Sequence, residues 1–331
     1  MKIRKIFALL LAAALVLSLA ACGEKAPADD AQLDAELPVR IMTLNGTTGF
    51  GMAQLIHKAN NGEAALNYSI SVETDASNVT AALISGSVDI AALPTNAASV
   101  VYNKTEGAVQ VLALNTRGVL YVVSDGSETI TSLADLEGKT VYAPAQNPSF
   151  IFSAICSAAG VNVTVDNTYA QPADLRTAVA AGEVALAVLP EPMVTIACSA
   201  NDKLRVVLDL THEWDSLHGA GTLVQGCVVV RREFAEAHPL EVSQFMSEYR
   251  DSVDLLLTDP AAAAELIVEA GIFNAAPVAQ KAIPNCNLCF ISSTSMENAL
   301  SKFLEVMHGF APASIGGAVP GEDFYYDWAG E

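Results

Sequence analysis

The sequence has few basic and few aromatic residues, and each shortage argues against a class of function. Its 331 residues hold 17 Lys and Arg against 37 Asp and Glu, for a formal net charge of −20. A protein this acidic is poorly suited to bind nucleic acid or an anionic membrane surface. Aromatic residues make up 6% of the chain, which argues against a large heteroaromatic ligand held by stacking. The shortage of basic side chains likewise argues against a doubly charged anion held by several arginines.

Cysteine and histidine are also sparse, and neither forms a catalytic or metal-binding pattern. After Cys22, the remaining cysteines are Cys156, Cys198, Cys227, Cys286 and Cys289. An odd number at scattered spacing is a poor disulfide framework. Cys286 and Cys289 have the spacing of half a zinc site, but no second Cys or His pair lies nearby, so we expect buried thiols or at most one local disulfide. The five histidines lie outside any nucleophile or metal motif. We therefore predict no cofactor and no metal.

The first residues are typical of a secretory signal. Lys2, Arg4 and Lys5 form a basic segment, and residues 6–19 are almost purely apolar. Leu19-Ala20-Ala21-Cys22 then resembles a bacterial lipobox, in which Cys22 receives lipid and becomes the mature N-terminus. The alternative, an uncleaved transmembrane anchor, needs a longer apolar segment. We predict a signal peptide over 1–21 and lipidation of Cys22.

Residues 22–37 after the signal are rich in Ala, Asp, Glu and Pro and show no apolar periodicity. Such a composition predicts a flexible acidic tether between membrane and domain. Removing 21 of the 331 residues leaves 310, enough for two ordinary domains. No later segment is apolar for long enough to cross a bilayer.

The stretch Val39–Met52 predicts a strand, a small-residue loop and a helix start. Such a loop exposes backbone N–H groups and the positive end of a helix dipole, where a polar or anionic ligand can dock. Thr47 and Thr48 add hydroxyls, and the glycines permit close approach. A simple connecting turn is an alternative. The glycines read G-x-x-G-x-G, unlike the dinucleotide fingerprint G-x-G-x-x-G.

The rest of the chain predicts alternating strands and helices in two successive α/β units. Apolar strands recur at residues 68–72, 88–93, 109–114 and 119–123, and the pattern starts again at 140–143, 163–169, 184–189 and 204–208. Residues 222–231 read as an extended segment, and the remainder as mainly helical. We expect the aromatic tail Phe324–Trp328 to pack on the first unit. The segment with His212, Trp214 and His218 reads as a loop.

Three phrases in this order resemble a known family. Leu83-Ile84-Ser85-Gly86-Ser87-Val88-Asp89-Ile90-Ala91 is similar to a binding-protein phrase, L-x-x-G-x-x-D-I/V-A. Leu133–Val141 is similar to s-x-x-D-L-K-G-K-x-V, and Ala181–Ala187 followed by Pro190-Glu191-Pro192 is similar to G-x-x-D-A-x…E-P. Over residues 38–310 the chain resembles the solute-binding lipoproteins of ABC importers, in the branch for aliphatic sulfonates, taurine, nitrate and thiamine-pyrimidine precursors. Glu183 replaces the usual Asp, and Leu189 stands before Pro190 where some relatives have a tryptophan next to Glu-Pro.

The resemblance implies an α/β, two-lobed periplasmic-binding-protein-like fold of type II (a Venus flytrap) with two hinge crossings. We place the crossings near Val119–Ser124 and Thr222–Val230. The expected division is lobe 1 over 38–123 and 224–331, and lobe 2 over 124–223.

The carboxyl ends of parallel strands should face a cleft between the lobes. This selects polar residues that follow the strands as ligand-binding candidates: Asn45, Gly46, Thr47, Thr48, Thr95, Asn96, Gln146, Asn147 and Glu191. Helix capping or turn formation is the alternative role for these residues, and we favour it for Thr95. Arg117, near a crossing, is a further candidate, with a surface salt bridge as the alternative.

The resemblance implies an extracytoplasmic, lipid-anchored monomer on the cell membrane. It would capture a small polar or anionic solute without catalysis and deliver it to an ABC importer permease and its ATPase. One alternative is an enzyme, because related folds include a thiamine-pyrimidine synthase. Another is a sensory or adhesive lipoprotein with a vestigial cleft. Turnover of a candidate substrate would distinguish an enzyme from a solute-binding protein. Ligand-induced compaction would distinguish a solute-binding protein from a lipoprotein with a vestigial cleft.

Overall fold

The structure is a computed structural model that describes residues 32–330. The predicted signal peptide, Cys22 and the first part of the tether lie outside the described residues. All elements named below belong to one compact unit, Ala35–Glu331.

Eleven strands occupy the described part of the chain. They are β1 (Pro38–Leu44), β2 (Asn67–Glu73), β3 (Ile90–Pro94), β4 (Val109–Arg117), β5 (Leu120–Ser124), β6 (Thr140–Tyr142), β7 (Thr164–Asp166), β8 (Leu186–Pro190), β9 (Arg205–Asp209), β10 (Val224–Arg231) and β11 (Leu288–Ile291).

The α-helices within residues 32–330 fill the intervals between strands and dominate the C-terminal third. They are α1 (Thr47–Phe50), α2 (Ala53–Asn61), α3 (Ala76–Ser85), α4 (Thr95–Lys104), α5 (Asn147–Ala158), α6 (Pro172–Ala181), α7 (Met193–Ala200), α8 (Leu210–His218), α9 (Arg232–Ala237), α10 (Pro239–Thr258), α11 (Pro260–Glu269), α12 (Ala276–Ala282) and α13 (Ser293–Phe310). Short 3₁₀ turns lie at Leu133–Leu136, Ile283–Asn285, Pro312–Ile315 and Glu322–Phe324.

Helix boundaries follow local chemistry. Asp75 caps α3, because its Oδ1 accepts a hydrogen bond from the N–H of Ser77 at 2.8 Å. Gly86 ends α3 and Gly182 ends α6, both in the left-handed conformation that glycine adopts without steric cost. These signals produce the compact βα units that the sequence predicts.

The strands form two mixed sheets that share a five-strand order, β2-β1-β3-β10-β4 in the first and β7-β6-β8-β5-β9 in the second. The first sheet has six strands in the order β11-β4-β10-β3-β1-β2, and the second has five in the order β7-β6-β8-β5-β9. In the first, β1 pairs in parallel with β2 and β3, while β10 runs antiparallel to β3 and β4. In the second, β6 pairs in parallel with β7 and β8, and β5 runs antiparallel to β8 and β9. In the first sheet β10 and β11 therefore run against the other strands, and in the second sheet β5 does so.

Strand pairing moves the predicted lobe boundary. The sequence division placed residues 120–123 in lobe 1, but β5 pairs with β8 and β9 of the second sheet. The first crossing is therefore Gly118-Val119, directly after β4, and the second lies between α8 and β10. Gly118 is required there, because a Cβ atom would lie 2.2 Å from Thr211 Oγ1.

Two further predictions about the C-terminal half need correction. The segment with His212, Trp214 and His218 is helix α8, capped by Asp209, and not a loop. The part after residue 231 contains β11, which extends the first sheet by pairing with β4. The tail packs on the first sheet as predicted, since the N–H of Tyr326 donates to Val111 O at 2.9 Å.

A single apolar cluster includes residues from both sheets. It contains Val111 of β4 and Val122 of β5, together with Trp214 of α8 and Phe303 of α13. The Trp214 and Phe303 rings lie 5.6 Å apart. The two sheets are therefore joined by a shared apolar core as well as by the two crossings. Burial of the large aromatic side chains in this core contributes strongly to stability.

Candidate functional site

A cleft lies where the carboxyl ends of strands from both sheets face each other. Its cavity has a volume of about 390 Å³. The residues that line it are Leu44, Asn45, Gly46, Thr47, Thr74, Ala76, Gln171, Pro172, Ala173, Pro190, Glu191, Pro192 and Met193. The lining residues from Leu44 to Ala76 lie at or after the ends of β1 and β2. Those from Gln171 to Met193 lie at or after the ends of β7 and β8. Crevices at such strand ends are the usual binding position in α/β proteins.

The first wall is the loop Asn45–Thr48, here called the binding loop. The N–H of Asn45 donates to Glu73 O at 2.8 Å, and that of Gly46 donates to Ile272 O at 3.2 Å. Gly46 has φ +77°, which glycine adopts without cost. The N–H groups of Thr47 and Thr48 open helix α1, so they have no partner within that helix. The two hydrogen bonds from Asn45 and Gly46 fix the backbone of the loop, and the N–H groups of Thr47 and Thr48 remain available as donors to a ligand.

A buried amide supports this loop from behind. Asn115 on β4 is 2% exposed. Its Nδ2 donates to Thr48 O and lies equally close to the hydroxyl of Tyr249, both at 3.1 Å. The Asn115 side chain therefore ties the binding loop to the first sheet and to α10.

Glu191 is the ionisable residue in the second wall. Its side chain is buried, with 4% of the residue exposed. Oε2 accepts from the N–H of Thr195 at 3.1 Å, and Oε1 accepts from the Thr195 hydroxyl at 3.0 Å. Burial raises the pKa of this carboxyl, against opposing contributions from Thr195, Asn285 and Lys281. Burial therefore favours the protonated form of Glu191 more than in a solvent-exposed glutamate.

A second cavity of about 580 Å³ shares three residues with the cleft, namely Asn45, Gly46 and Met193. It is otherwise lined by the segment after α11, including Phe273 and Asn274. Phe273 packs edge-on against Phe50 of α1, with ring centroids 6.3 Å apart. This side offers apolar surface rather than charge.

Of the predicted site residues, Asn45, Gly46, Thr47 and Glu191 line the cleft. Thr48 lies in the same loop. Five others do not line this cavity: Thr95, Asn96, Arg117, Gln146 and Asn147. Thr95 is fully buried, and its hydroxyl donates to Val224 O of β10 at 2.8 Å, so it ties α4 to a neighbouring strand and does not cap a helix.

The remaining four occupy varied positions. Asn96 Nδ2 donates to Ser314 O at 3.3 Å. Gln146 and Asn147 lie at the start of α5, and Oδ1 of Asn147 is buried without a partner within the described chain. Arg117 is exposed. Their part in binding stays a prediction.

Sequence reasoning missed two portions of the cleft wall. Thr74 and Ala76 follow β2, and Gln171–Ala173 begin α6. The missed signal in both places is the strand end itself, since each segment comes directly after a parallel strand or its connecting loop.

The cysteine thiols within residues 32–330 are free, so no local disulfide joins Cys286 to Cys289. Burial raises the pKa of Cys156 and of Cys289 to about 12. These thiols therefore stay protonated and weakly nucleophilic at neutral pH. Within the same residues, no group of three His, Cys, Asp or Glu is placed to hold a metal ion, and no helix is long and apolar enough to span a bilayer.

Comparison with solved structures shows which class of fold this is. An ABC transporter structure from Parabacteroides distasonis superposes with a TM-score of 0.74 at 22% identity, covering 89% of this chain and 99% of that one. The alkanesulfonate-binding protein SsuA from Xanthomonas axonopodis pv. citri, bound to MOPS, gives 0.63 at 16%, covering 88% and 96%. The nitrate-binding protein NrtA from Synechocystis PCC 6803 gives 0.62 at 11%, covering 88% and 85%. The chain has the two-lobed periplasmic-binding-protein fold, as predicted.

The family is defined more narrowly by sequence. Residues 62–263 match the family model described as NMT1/THI5 like. The protein belongs to this NMT1/THI5-like family, which confirms the predicted branch. Comparison with curated proteins found no match.

Proposed function

We propose that the protein is an extracytoplasmic solute-binding lipoprotein that captures a small polar solute in the cleft and delivers it to an ABC importer permease. The cleft itself carries the proposal, because it joins the carboxyl ends of strands from two separate sheets. A volume of about 390 Å³ suits a small molecule. The neighbours named for sulfonate and nitrate binding support a solute of this size class.

Closure of the lobes would couple binding to delivery. A solute that touches the binding loop and Glu191 together binds the closed form better than the open form, and only this difference can drive closure. The closed form would then dock on the permease. Lipidation of Cys22 would keep the protein, as a monomer, beside that partner.

The binding loop offers a direct test. Replacing Thr47 and Thr48 together by Val keeps their shape but removes two hydroxyls. We expect a loss of roughly 1–3 kcal/mol of binding free energy if each hydroxyl leaves a buried partner unpaired. The unliganded protein should unfold at an almost unchanged temperature. The measurement is calorimetric titration with the solute that co-purifies with the protein, identified by mass spectrometry.

A matched control replaces Thr164 and Thr258, both exposed and outside the cleft, by Val. This variant should bind like the parent. Equal binding by the Thr47 and Thr48 variant would show that the loop is only a turn. A parent protein that carries no solute and shows no ligand-induced compaction in small-angle scattering would contradict solute capture altogether.

A further inference from the structure

Within residues 32–330, the residues that line the cleft include one acidic side chain and no basic side chain. Among the described residues that line it and the adjoining cavity there is no Lys, Arg or His, and the only ionisable side chain is that of Glu191. An anion placed here would meet a carboxylate and no counter-charge. In a partly buried site, such a like-charge pair is costly.

Helix N-termini are the usual substitute for basic side chains in anion sites. At this cleft the N-termini of α3, α6 and α7 lie beside carboxylates of the protein, whereas the first turn of α1 carries none. Asp75 caps α3, and Glu191 accepts from the first turn of α7 through the N–H of Thr195. Helix α6 carries Asp174 in its first turn. The ends of α3, α6 and α7 therefore do not offer an uncompensated positive potential to a ligand. The N–H groups of Thr47 and Thr48 in the single-turn helix α1 remain as donors, and a neutral ligand oxygen can use them as well as an anion.

Two basic side chains that are candidate counter-charges, Lys281 and Arg117, do not line the cleft. Lys281 is close enough to Glu191 to oppose the rise in its pKa, but its Nζ is engaged with Ser199 Oγ at 3.1 Å and lines neither cavity. Arg117 is exposed at the first crossing and lines neither cavity.

Glu191 lines the cleft and keeps some unused acceptor capacity. An ionised carboxylate has about four lone-pair sites. Two of them are used by the N–H and hydroxyl of Thr195, and a third by the side chain of Asn285. A ligand N–H aimed at this group would form a charge-assisted hydrogen bond in a buried setting, which is among the stronger polar contacts in proteins.

We infer that the solute of this cleft is neutral or positively charged and presents N–H donors to Glu191, and that sulfonates and nitrate are rejected. This inference rests on the proposed solute capture and narrows its ligand class. The apolar surface of Phe273 and Met193 would receive the remainder of the molecule.

Size-matched probes test the charge assignment. Benzamidinium, benzamide and benzenesulfonate share one ring and differ in charge, as do acetamidinium, acetamide and methanesulfonate. Binding to the full-length protein is measured by calorimetry and by thermal shift. We expect the amidinium and amide to bind more tightly than the sulfonate in each series.

The variant Glu191→Gln keeps the size and removes the charge. It should weaken amidinium binding about tenfold or more, and change amide binding much less. The matched control Glu265→Gln removes the same charge from an exposed position on α11 and should bind like the parent.

The outcomes separate the two proposals. A sulfonate that binds more tightly than its amidinium partner would overturn the charge assignment and leave solute capture intact. Amidinium binding that is unchanged in Glu191→Gln would also overturn it. Absence of binding by every probe, in a protein that also carries no solute on purification, would contradict both.

Discussion

Glu191 makes a structural contact in addition to the binding role that the sequence predicts for it. It was selected as a strand-end polar group, and it also caps the first turn of α7 through Thr195. The contact with Thr195 uses the carboxylate that the sequence proposes for ligand binding, and the binding role stays a prediction. Lys281 is the charged group that favours ionisation of Glu191. Glu191 and Asp209 both raise the pKa of Tyr121.

The raised pKa of Glu191 makes a prediction about stability and pH. An unfolded glutamate titrates near about pH 4.3. Because the folded pKa is raised, Glu191 stabilises the fold fully below the unfolded pKa, and this contribution is lost as pH rises through the folded pKa. Glu191→Gln lacks this loss. Its unfolding temperature, relative to the parent, should therefore rise as pH is raised from about 4 to 8.

The measurement is thermal unfolding of ligand-free protein across that range, with Glu265→Gln as the control for general charge effects. A difference that is constant with pH would show that burial does not perturb Glu191.

At the scale of elements, the turn from β1 into α1 depends on two glycines with different constraints. A Cβ atom on Gly49 would lie 1.8 Å from Leu44 O, whereas one on Gly46 would meet no atom within 4 Å. Gly49→Ala should therefore destabilise the protein by about 3 kcal/mol or more. Gly46→Ala should cost about 1–2 kcal/mol, through its positive φ alone.

Urea unfolding of both variants checks the order of these effects. Equal losses would mean that the backbone at Leu44 moves aside easily, and that the binding loop is less firmly held than its hydrogen bonds indicate.

The elements also show what sequence can predict here. Apolar strands bounded by glycine and polar turns, such as β3, were located to within two residues, because local patterning determines them. The sheet that contains β5 was not predictable in this way, since its partner Leu189 lies far along the chain. Strand β11 was missed because its four residues sit within a helical region.

Only part of the cleft lining was predicted, for a related reason. The end of β1 is clear from the sequence, so the loop that follows it was placed at the cleft. Strand β7 was expected to reach Tyr169 but ends at Asp166. The wall Gln171–Ala173 that follows it was therefore not recognised.

At the scale of the whole molecule, the shared core makes the two lobes energetically dependent. The contact between Trp214 and Phe303 joins α8 to α13. Replacing each by Leu, singly and together, should reveal a coupling of about 0.5–1.5 kcal/mol in a double-mutant cycle. Trp214 and Phe234, which lie in different clusters, provide the control pair with little coupling. Additive losses for Trp214 and Phe303 would argue that the lobes unfold independently.

The predicted membrane attachment also belongs to this scale. Cys22→Ser removes the sulfur that would carry lipid, so the protein should be released or remain as an unprocessed precursor. Several acyl chains are needed for a stable anchor, and their loss is measured by metabolic lipid labelling and membrane fractionation. Retained labelling in the variant would exclude Cys22 as the attachment point.

The order of strands in the first sheet has a mechanical consequence. The chain leaves this sheet from β4 and returns to it in β10, whereas the binding loop follows β1, three strands away from β4. At roughly 4.8 Å per strand, the loop has a lever arm of about 14 Å from that exit. A rotation of about 10° at the crossings would then sweep the loop through roughly 2.5 Å, enough to make or break hydrogen bonds to a solute. A small rotation at the two crossings would thereby be amplified into a larger change in the width of the cleft.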